Sequence, residues 1–451
     1  VVVLIITITI LLYGVVVLKQ NPHVPLIFSC AVVFLYGVIR RIPWKQMREC
    51  IIDNISEAIE AILIICLIGI IIGVWMASGT VPLLIYYGLK IFSPQWFLVS
   101  VILLCSLMSI ATGSSWTTIG TLGVAFMGIG EGLDIPVGIT AGAIICGAYF
   151  GDKQSPLSDS TNFAAAVAKT NLYAHTRAML YTTGPAYIAS VILFLVIGLR
   201  YTNKRADNFQ IENIMLGIEN QFHLSPVLLL PILVLVILII KKFPAIPTMI
   251  IAIIMGLLLA LLVQNTSLQD LFSYMYSGFI GQTNIEAVDS LLTRGGLISM
   301  TPTIILMFLS LMLAGALQST GVISDILNCL TKFTSQTRGL IITTWITTFG
   351  LSYIAADPYL AMILPANILG NKYEEIGLDQ SVLSRTLEDG GTIVCPMVPW
   401  GTNGIYCSNT LGVAVGSYLP FYFLGLFTPI CVLICAFTGF GVLKRRTVNG
   451  K

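Results

Sequence analysis

The residues best suited to ion chemistry in this sequence are concentrated in one segment, Gly151–Asn162, with the sequence GDKQSPLSDSTN. It holds two carboxylates, one lysine and a row of hydroxyl and amide groups between two apolar stretches, 139–150 and 163–168. Proline has no backbone N–H and clashes with the preceding turn, so Ser155-Pro156 predicts a break between two helices. Open backbone within a membrane requires protein or a watery cavity around it, and charged groups there indicate function. We therefore predict a binding site here; a polar loop at the membrane surface is the alternative interpretation.

The chemistry that these groups suit is the binding of sodium ions and protons. Sodium is a hard cation, for which carboxylate, hydroxyl, amide and carbonyl oxygens are natural ligands. Asp152, Asp159 and the more distant Asp357 are the ionisable candidates, because burial favours a protonated carboxyl group and a bound cation favours the ionised form. Such an aspartate can exchange a proton for Na⁺. Lys153 is expected to neutralise Asp152 or Asp159, with a purely structural ion pair as the alternative.

Three further segments supply hydroxyl groups or helix breaks to the same predicted site. Thr112–Thr118 contains five hydroxyl side chains, including Ser114 and Ser115, which favours a re-entrant hairpin tip over ordinary tight helix packing. The second half supplies Ala355–Tyr359, which contains Asp357, and Cys395–Asn403, which contains Thr402 and Asn403. A broken helix exposes carbonyl groups at one end and N–H groups at the other. The same fragments could therefore hold a cation and an organic carboxylate side by side.

These segments recur in the two halves of the chain in the same order. Gly73–Val81 resembles Gly315–Ile323, and nearly the same offset pairs Ser115 with Asp357 and Pro156 with Pro399. Internal duplication with helix breaks at matching places is typical of secondary transporters. We therefore predict two inverted structural repeats with broken helices and re-entrant hairpins, with chance similarity among small residues as the alternative.

The composition indicates a membrane protein. Of 451 residues 56% are hydrophobic and only 10% are charged, the mean hydropathy is +0.92, and a soluble chain would carry about 25% charged residues. We predict an all-α polytopic fold with about 10–13 transmembrane segments. A formal net charge of +2 does not indicate a nucleic-acid partner.

The predicted organisation is a first transmembrane half at 1–199, a polar linker at 200–223 and a second transmembrane half at 224–451. The repeat cores are expected at about 57–199 and 297–443. The basic cluster Arg40, Arg41, Lys45 and Arg48 places its loop, and with it the N-terminus, in the cytoplasm. The sequence opens without an initiator methionine, so we expect that some of the native N-terminus is missing.

Enzyme and cofactor chemistry find little support. No Walker A, HExxH, paired-cysteine or nucleophile-elbow pattern occurs, and the ten cysteines lie mostly singly in apolar segments. No cofactor is expected beyond the transported Na⁺ and H⁺. His175 is the one histidine close to the central segment. The three-residue spacing of Arg385 and Glu388 predicts an ion pair on one helix face, with a direct transport role as the alternative.

The run GDK-x-SPLSD-S-TN, continued by Leu172–Tyr187, resembles the NhaC family of the ion transporter superfamily. That family is named for Na⁺/H⁺ antiport and includes MleN-type exchangers, which take up malate with protons and release lactate with sodium. The resemblance implies a bacterial inner-membrane antiporter with two repeats of opposite topology and a mobile transport part. It implies that the following residues line or support the site: Asp152, Ser155, Asp159, Ser160, Thr161 and Asn162. Including Asp357, Thr402 and Asn403 rests on the repeat, and including Ser114 and Ser115 on the hydroxyl-rich segment.

The leading hypothesis is therefore an antiporter that exchanges Na⁺ for H⁺ across the bacterial cytoplasmic membrane by alternating access, with Asp159 and Asp357 carrying the cation or proton. The alternative is a Na⁺- or H⁺-coupled exchanger of a small organic anion or amino acid, of the malate/lactate type. A channel and a membrane sensor or scaffold are the other classes considered. The expected partners are Na⁺, H⁺ and the lipid bilayer; a homodimer, common among such transporters, is left open.

Overall fold

The structure, a computed structural model, describes residues 2–201, 208–241, 243–283, 285–322, 334–355 and 358–444. Within these ranges the regular elements are helices, joined by two isolated bridges, Phe279 with Arg294 and Leu378 with Lys444. Up to residue 199 the helices are α1 (Val2–Leu12), α2 (His23–Ile39), α3 (Trp44–Glu57), α4 (Ile59–Ala77), α5 (Thr80–Ile91), α6 (Pro94–Thr112), α7 (Ser115–Thr118), α8 (Val124–Gly132), α9 (Val137–Gln154), α10 (Asp159–Val167) and α11 (Leu172–Leu199).

The later helices are α12 (Asn208–Gln221), α13 (Leu230–Ile240), α14 (Ala245–Leu262), α15 (Leu268–Ser277), α16 (Glu286–Leu292), α17 (Leu297–Ser319), α18 (Thr337–Ala355), α19 (Pro358–Glu375), α20 (Gln380–Gly390), α21 (Thr402–Leu411), α22 (Val415–Tyr418) and α23 (Phe423–Thr438). Short π-helical turns extend α1 and α7, at Tyr13–Val17 and Ile119–Gly123, and 3₁₀ turns lie at Pro226–Leu229, Cys395–Met397 and Leu419–Phe421. α12 falls inside the predicted linker 200–223, and the division into two halves stays a prediction.

The prediction of an all-α polytopic membrane protein is confirmed. Among the described residues α6, α11, α14 and α17 are long and apolar enough to cross a membrane. Three bent helix pairs raise the number to seven if each pair is one span, with bends of 67° at Ala77–Thr80, 97° at Gln221–Pro226 and 53° at Phe421–Phe423. The total of about 10–13 segments and the inverted orientation of the repeats stay predictions.

The helix break between α6 and α7 is held directly against the central segment. Gly113 adopts φ +67°, a left-handed conformation that glycine adopts without steric cost. A Cβ atom at this position would lie 2.6 Å from the carbonyl carbon of Leu157, so glycine is also needed for contact with the α9–α10 break. The hydroxyl-rich segment and the Pro-broken segment therefore meet, as a shared site requires.

The second break, between α20 and α21, is supported by buried tyrosines. Tyr422 donates a hydrogen bond to the carbonyl of Ile393 at 2.7 Å, and Tyr418 donates one to the carbonyl of Pro396 at 2.6 Å. Backbone groups freed within a membrane must find such partners, since an unsatisfied group there costs several kcal/mol. The phenol groups therefore stabilise the irregular backbone between α20 and α21.

Helices α6 and α9 cross closely because one of them presents small residues. A Cβ atom at Gly147 would lie 2.4 Å from the carbonyl oxygen of Ile102. Ser109 Oγ donates to the carbonyl of Ala148 at 2.6 Å, and Ser155 Oγ donates to the carbonyl of Ile110 at 2.8 Å. Glycine, alanine and serine let membrane helices approach in this way. The crossing positions the end of α9, which carries Asp152 and Lys153.

We expect Gly147→Val to destabilise the protein by about 1–3 kcal/mol or more, because the added side chain forces α6 away from α9. Thermal unfolding in detergent measures the effect. The matched control is Gly184→Val in α11, where an added Cβ meets no atom within 4 Å. Equal melting temperatures for the two variants would contradict the close crossing.

Candidate functional site

A cavity of about 1160 Å³ lies where the broken helices meet. Its lining includes residues of the α6–α7 break, the α9–α10 break and the start of α21, together with parts of α3, α4, α14, α17 and α19. Of the predicted site residues, the following line this cavity: Ser114, Ser115, Asp152, Asp159, Ser160, Asn162, Thr402 and Asn403. Asp357 lies outside the described residues. Polar groups predicted from the two halves of the chain therefore face one space.

Asp152 and Lys153 lie in the last turn of α9, which ends at Gln154 just before Pro156. Lys153 is only 1% exposed. Its Nζ lies 2.7 Å from Asp152 Oδ2, 2.5 Å from Ser160 Oγ and 3.0 Å from Glu388 Oε1. The lysine thus bridges two carboxylates, one from α9 and one from α20, and the predicted contact between Lys153 and Asp152 is present.

Two hydroxyl groups extend this arrangement towards the cavity. Ser115 Oγ and Ser160 Oγ each lie 3.5 Å from Asp152 Oδ2, one from the start of α7 and one from the start of α10. Ser114 is the N-cap of α7 and accepts a hydrogen bond from the Thr117 N–H at 3.1 Å. Hydroxyl oxygens from two separate segments, the starts of α7 and α10, therefore converge on the carboxylate of Asp152.

The partners of Glu388 differ most from those expected from the sequence. Its carboxylate is fully buried and contacts Lys153, the hydroxyl of Thr392 at 2.9 Å and His175 Nε2 at 3.3 Å. The predicted Arg385–Glu388 pair is wrong, because Arg385 extends to the segment that follows α23 and donates to the carbonyl of Gly441 at 2.9 Å. We call Asp152, Lys153, Glu388 and His175 the ion-pair cluster.

The remaining residues of the central segment have two different environments. Asp159 begins α10 and is exposed to the cavity, and the N-terminal end of a helix favours a negative charge. Asn162 also lines the cavity, while its amide donates to the carbonyls of Pro156 and Ser158. Ser155 and Thr161 hydrogen-bond to backbone carbonyls and do not line the cavity, so they hold the shape of the break.

The second half of the chain supplies Thr402 and Asn403 to the cavity wall, beside Trp116 of the first half. Trp116 Nε1 donates to Asn403 Oδ1 at 2.6 Å, and the Trp116 ring stacks on Tyr406 with centroids 4.4 Å apart. Tyr406 in turn donates to the Trp116 carbonyl at 2.6 Å. These contacts join the α6–α7 break to α21, next to Thr402. An amide and an indole on the cavity wall can recognise a polar solute as well as orient each other.

The charged groups around the cavity favour a cation. Among the residues that the structure describes, Asp53, Glu60, Asp152 and Asp159 line it with a single lysine, Lys153, so these carboxylates exceed ammonium groups by three when all are ionised. A cleft with one sign of charge raises the local concentration of oppositely charged ions. Asp53 and Glu60 are not among the site residues predicted from sequence, because they come from the neighbouring helices α3 and α4. Among the described residues no group of three or more His, Cys, Asp or Glu is arranged to hold a resident metal ion.

Apolar helices that cross a membrane, and helix breaks that face a polar cavity between them, are the features of a multi-pass membrane transporter. Residues 147–440 match the Na⁺/H⁺ antiporter family. The chain is 41% identical over 436 residues to the Na⁺/H⁺ antiporter NhaC of Alkalihalophilus pseudofirmus, which covers 96% of this chain and 94% of that protein. The chain belongs to the Na⁺/H⁺ antiporter family, as the resemblance to NhaC predicted, and is a transporter and not an enzyme.

Other relatives are named for different substrates. The malate-2H⁺/Na⁺-lactate antiporter of Bacillus subtilis is 38% identical over 414 residues, covering 92% of this chain and 88% of that protein. The arginine/ornithine antiporter ArcD of Halobacterium salinarum is 36% identical over 444 residues, covering 97% of this chain and 91% of that protein. Family membership therefore establishes antiport as the family activity and leaves several solutes to distinguish.

Proposed function

We propose that this protein exchanges Na⁺ for H⁺ across the bacterial cytoplasmic membrane by alternating access, with its N-terminus in the cytoplasm. The observation that carries the proposal is the convergence of Ser115 and Ser160 on the Asp152 carboxylate, at the wall of an acid-lined cavity. One carboxylate and two hydroxyl groups are hard oxygen ligands of the kind that Na⁺ takes. Asp159 and Asp357 are proposed to attract the ion to this position.

The broken helices around the cavity suit a binding site that opens alternately to the two sides of the membrane. The α9–α10 and α20–α21 breaks occur in regions that we propose to be equivalent in two repeats of opposite orientation. Broken helices at a repeat interface are where alternating-access transporters bind their ions. Movement of the segments that carry the Asp152 and Glu388 carboxylates, relative to α3, α14 and α17, would expose the same cavity to either side.

A second candidate is exchange of an amino acid or a small organic acid, coupled to Na⁺ or H⁺. The cavity of about 1160 Å³ is much larger than one ion requires, and Asn403 and Trp116 offer polar contacts on its wall. The acidic lining favours a solute with a positive group, such as a basic amino acid, over a dicarboxylate. The charge of the cavity lining therefore favours a basic amino acid over a dicarboxylate, and the size of the cavity excludes neither solute.

The decisive measurement is sodium-dependent proton movement in proteoliposomes that contain a pH-sensitive dye. Wild type is expected to release protons when Na⁺ is added. Asp159→Asn should raise the half-saturating Na⁺ concentration about fivefold, since loss of one solvated charge near the ion removes roughly 1 kcal/mol of attraction. Asp270→Asn on α15, an exposed aspartate outside the cavity, is the matched control and should behave as wild type.

Counterflow of labelled malate, lactate, arginine and ornithine in the same vesicles tests the second candidate. Absence of a sodium response in wild type, together with counterflow of one of these solutes, would replace the sodium–proton assignment with the solute-exchange assignment. A sodium response without solute counterflow would support the first. Equal behaviour of Asp159→Asn and Asp270→Asn would remove Asp159 from the path of the ion.

A further inference from the structure

Glu388 and His175 form a buried acid–base pair behind the cavity. Both side chains are 0% exposed, and neither lines the cavity. They come from α20 and α11, and they connect to the cavity wall through Lys153 and Thr392. A fully buried carboxylate beside a fully buried imidazole is unusual unless the pair is stabilised by partners or has a function.

We infer that Glu388 and His175 bind the transported proton at a site separate from the sodium ligands, and that Lys153 makes the two sites mutually exclusive. This inference rests on the proposed sodium–proton exchange and adds the location of the proton. The charge of the cluster and the geometry of the imidazole support it.

The charge of the ion-pair cluster admits one additional cation. Asp152 and Glu388 contribute two negative charges and Lys153 contributes one positive charge, so with a neutral imidazole the cluster carries one excess negative charge. A buried net charge is costly unless it is compensated. One proton or one sodium ion makes the cluster neutral, whereas both together leave it positive. The cluster is therefore built to hold one cation at a time, as an antiporter requires.

The imidazole geometry places the proton on the side away from the cavity. His175 Nδ1 contacts Ser384 Oγ at 2.9 Å, and Nε2 faces Glu388 Oε2 at 3.3 Å. Neither Nε2 nor Oε2 has an aligned hydrogen bond with any described residue. A proton between these two atoms would supply one. Histidine is the side chain whose charge changes most readily near neutral pH, so it suits this position.

Lys153 transmits the state of this pair to the sodium ligands. When the pair holds a proton, the charge of Glu388 is compensated by His175, and Lys153 remains with Asp152 and competes with sodium. When the proton leaves, Glu388 attracts Lys153, and Asp152 becomes free to bind sodium with Ser115 and Ser160. The distances of 2.7 Å and 3.0 Å from the lysine to the two carboxylates allow this exchange with a small movement.

The other charged groups near the pair are few. On the same helices, Arg385 bonds to the Gly441 carbonyl, Asp389 accepts from Thr182 at 3.1 Å, and Arg177 is exposed. Of the helices packed against them, α9 presents Asp152 and Lys153, α10 presents Asp159, and α23 presents the thiols of Cys431 and Cys435. The charged residues of α18 and α19 lie in their end turns, at Arg338, Lys372, Glu374 and Glu375. Among the described residues, Lys153 and His175 are the only basic side chains that lie within 4 Å of the Glu388 carboxylate.

The test compares the pH dependence of sodium binding in the purified full chain. Thermal stabilisation by NaCl, with choline chloride keeping the ionic strength constant, gives the half-saturating Na⁺ concentration between pH 6 and 9. In wild type that concentration should rise about tenfold per pH unit on the acid side, because one proton excludes one sodium ion. Glu388→Gln leaves Asp152 and Lys153 as a neutral pair, so sodium should bind more weakly at every pH. Its half-saturating concentration should change less than about twofold over the range. His175→Gln should shift the pH at which the dependence begins.

Glu131→Gln is the matched control, because Glu131 also forms an ion pair, with Arg294 at 3.0 Å, but lies outside the cavity lining. It should show the wild-type pH profile. A wild-type profile in Glu388→Gln would overturn the separate proton site and place the proton on the sodium ligands. If Glu388→Gln does not fold, a wild-type profile in His175→Gln overturns it. Failure of sodium to stabilise wild type at every pH would overturn the proposed function, and this inference with it.

Discussion

Asp152→Asn is expected to lower sodium-dependent proton exchange at least about 100-fold. The substitution removes the charge on which Ser115 and Ser160 converge, and a 100-fold loss corresponds to about 2.7 kcal/mol. It also leaves Lys153 and Glu388 as a neutral pair, so a bound sodium ion would create an uncompensated positive charge. The protein should still fold, because the buried lysine keeps one carboxylate partner. The lost negative charge and the lost coordinating carboxylate therefore both weaken sodium binding.

The measurement is the initial rate of proton release in proteoliposomes after addition of NaCl, normalised to the amount of inserted protein. Asp270→Asn serves again as the control for loss of an aspartate outside the cavity. Thermal unfolding without sodium verifies that Asp152→Asn is folded, and sodium should no longer stabilise it. An Asp152→Asn rate within about threefold of wild type would show that the ion is bound by other carboxylates, such as Asp53, Glu60 or Asp159.

The central segment could be predicted from sequence because its signal is local. A proline and three charged residues between apolar helices require a break and a polar environment, whatever the rest of the fold does. Asp152, Asp159, Ser160 and Asn162 accordingly line the cavity. The family and the contact of Lys153 with Asp152 follow from the same short run of residues, whereas the helical class follows from the composition of the whole chain.

Residues whose role depends on tertiary approach could not be predicted in the same way. Glu388 has Arg385 three positions before it, which suggests a local pair, yet Lys153 of α9 and His175 of α11 are its partners. Asp53 and Glu60 have no local signal, because they reach the cavity through the positions of α3 and α4. The side chains of Ser155 and Thr161, conversely, bond to the backbone. Residue type identifies oxygen donors, and only the fold decides where each donor points.

Lys153→Met is expected to have the largest effect on stability. The substitution keeps the length and apolar stem of the side chain but leaves Asp152 and Glu388 buried without their shared cation. Breaking a buried ion pair by removing one partner typically costs about 3–5 kcal/mol, so the melting temperature should fall by several degrees. The surface control, Lys45→Met, removes a pair at 4.0 Å from Glu49 whose lysine side chain is 79% exposed, and should change stability by less than about 1 kcal/mol.

Two further measurements identify charge as the cause of that loss. Sodium should stabilise Lys153→Met more than wild type, because the ion replaces the missing ammonium group, while exchange of sodium for protons is lost. The double variant Lys153→Met/Glu388→Gln also removes the second uncompensated charge, so it should recover at least half of the lost stability. Because the two residues are in contact, the effects of the two substitutions on stability should not add. A double variant less stable than Lys153→Met would mean that lysine packing, and not charge compensation, holds α9 against α20.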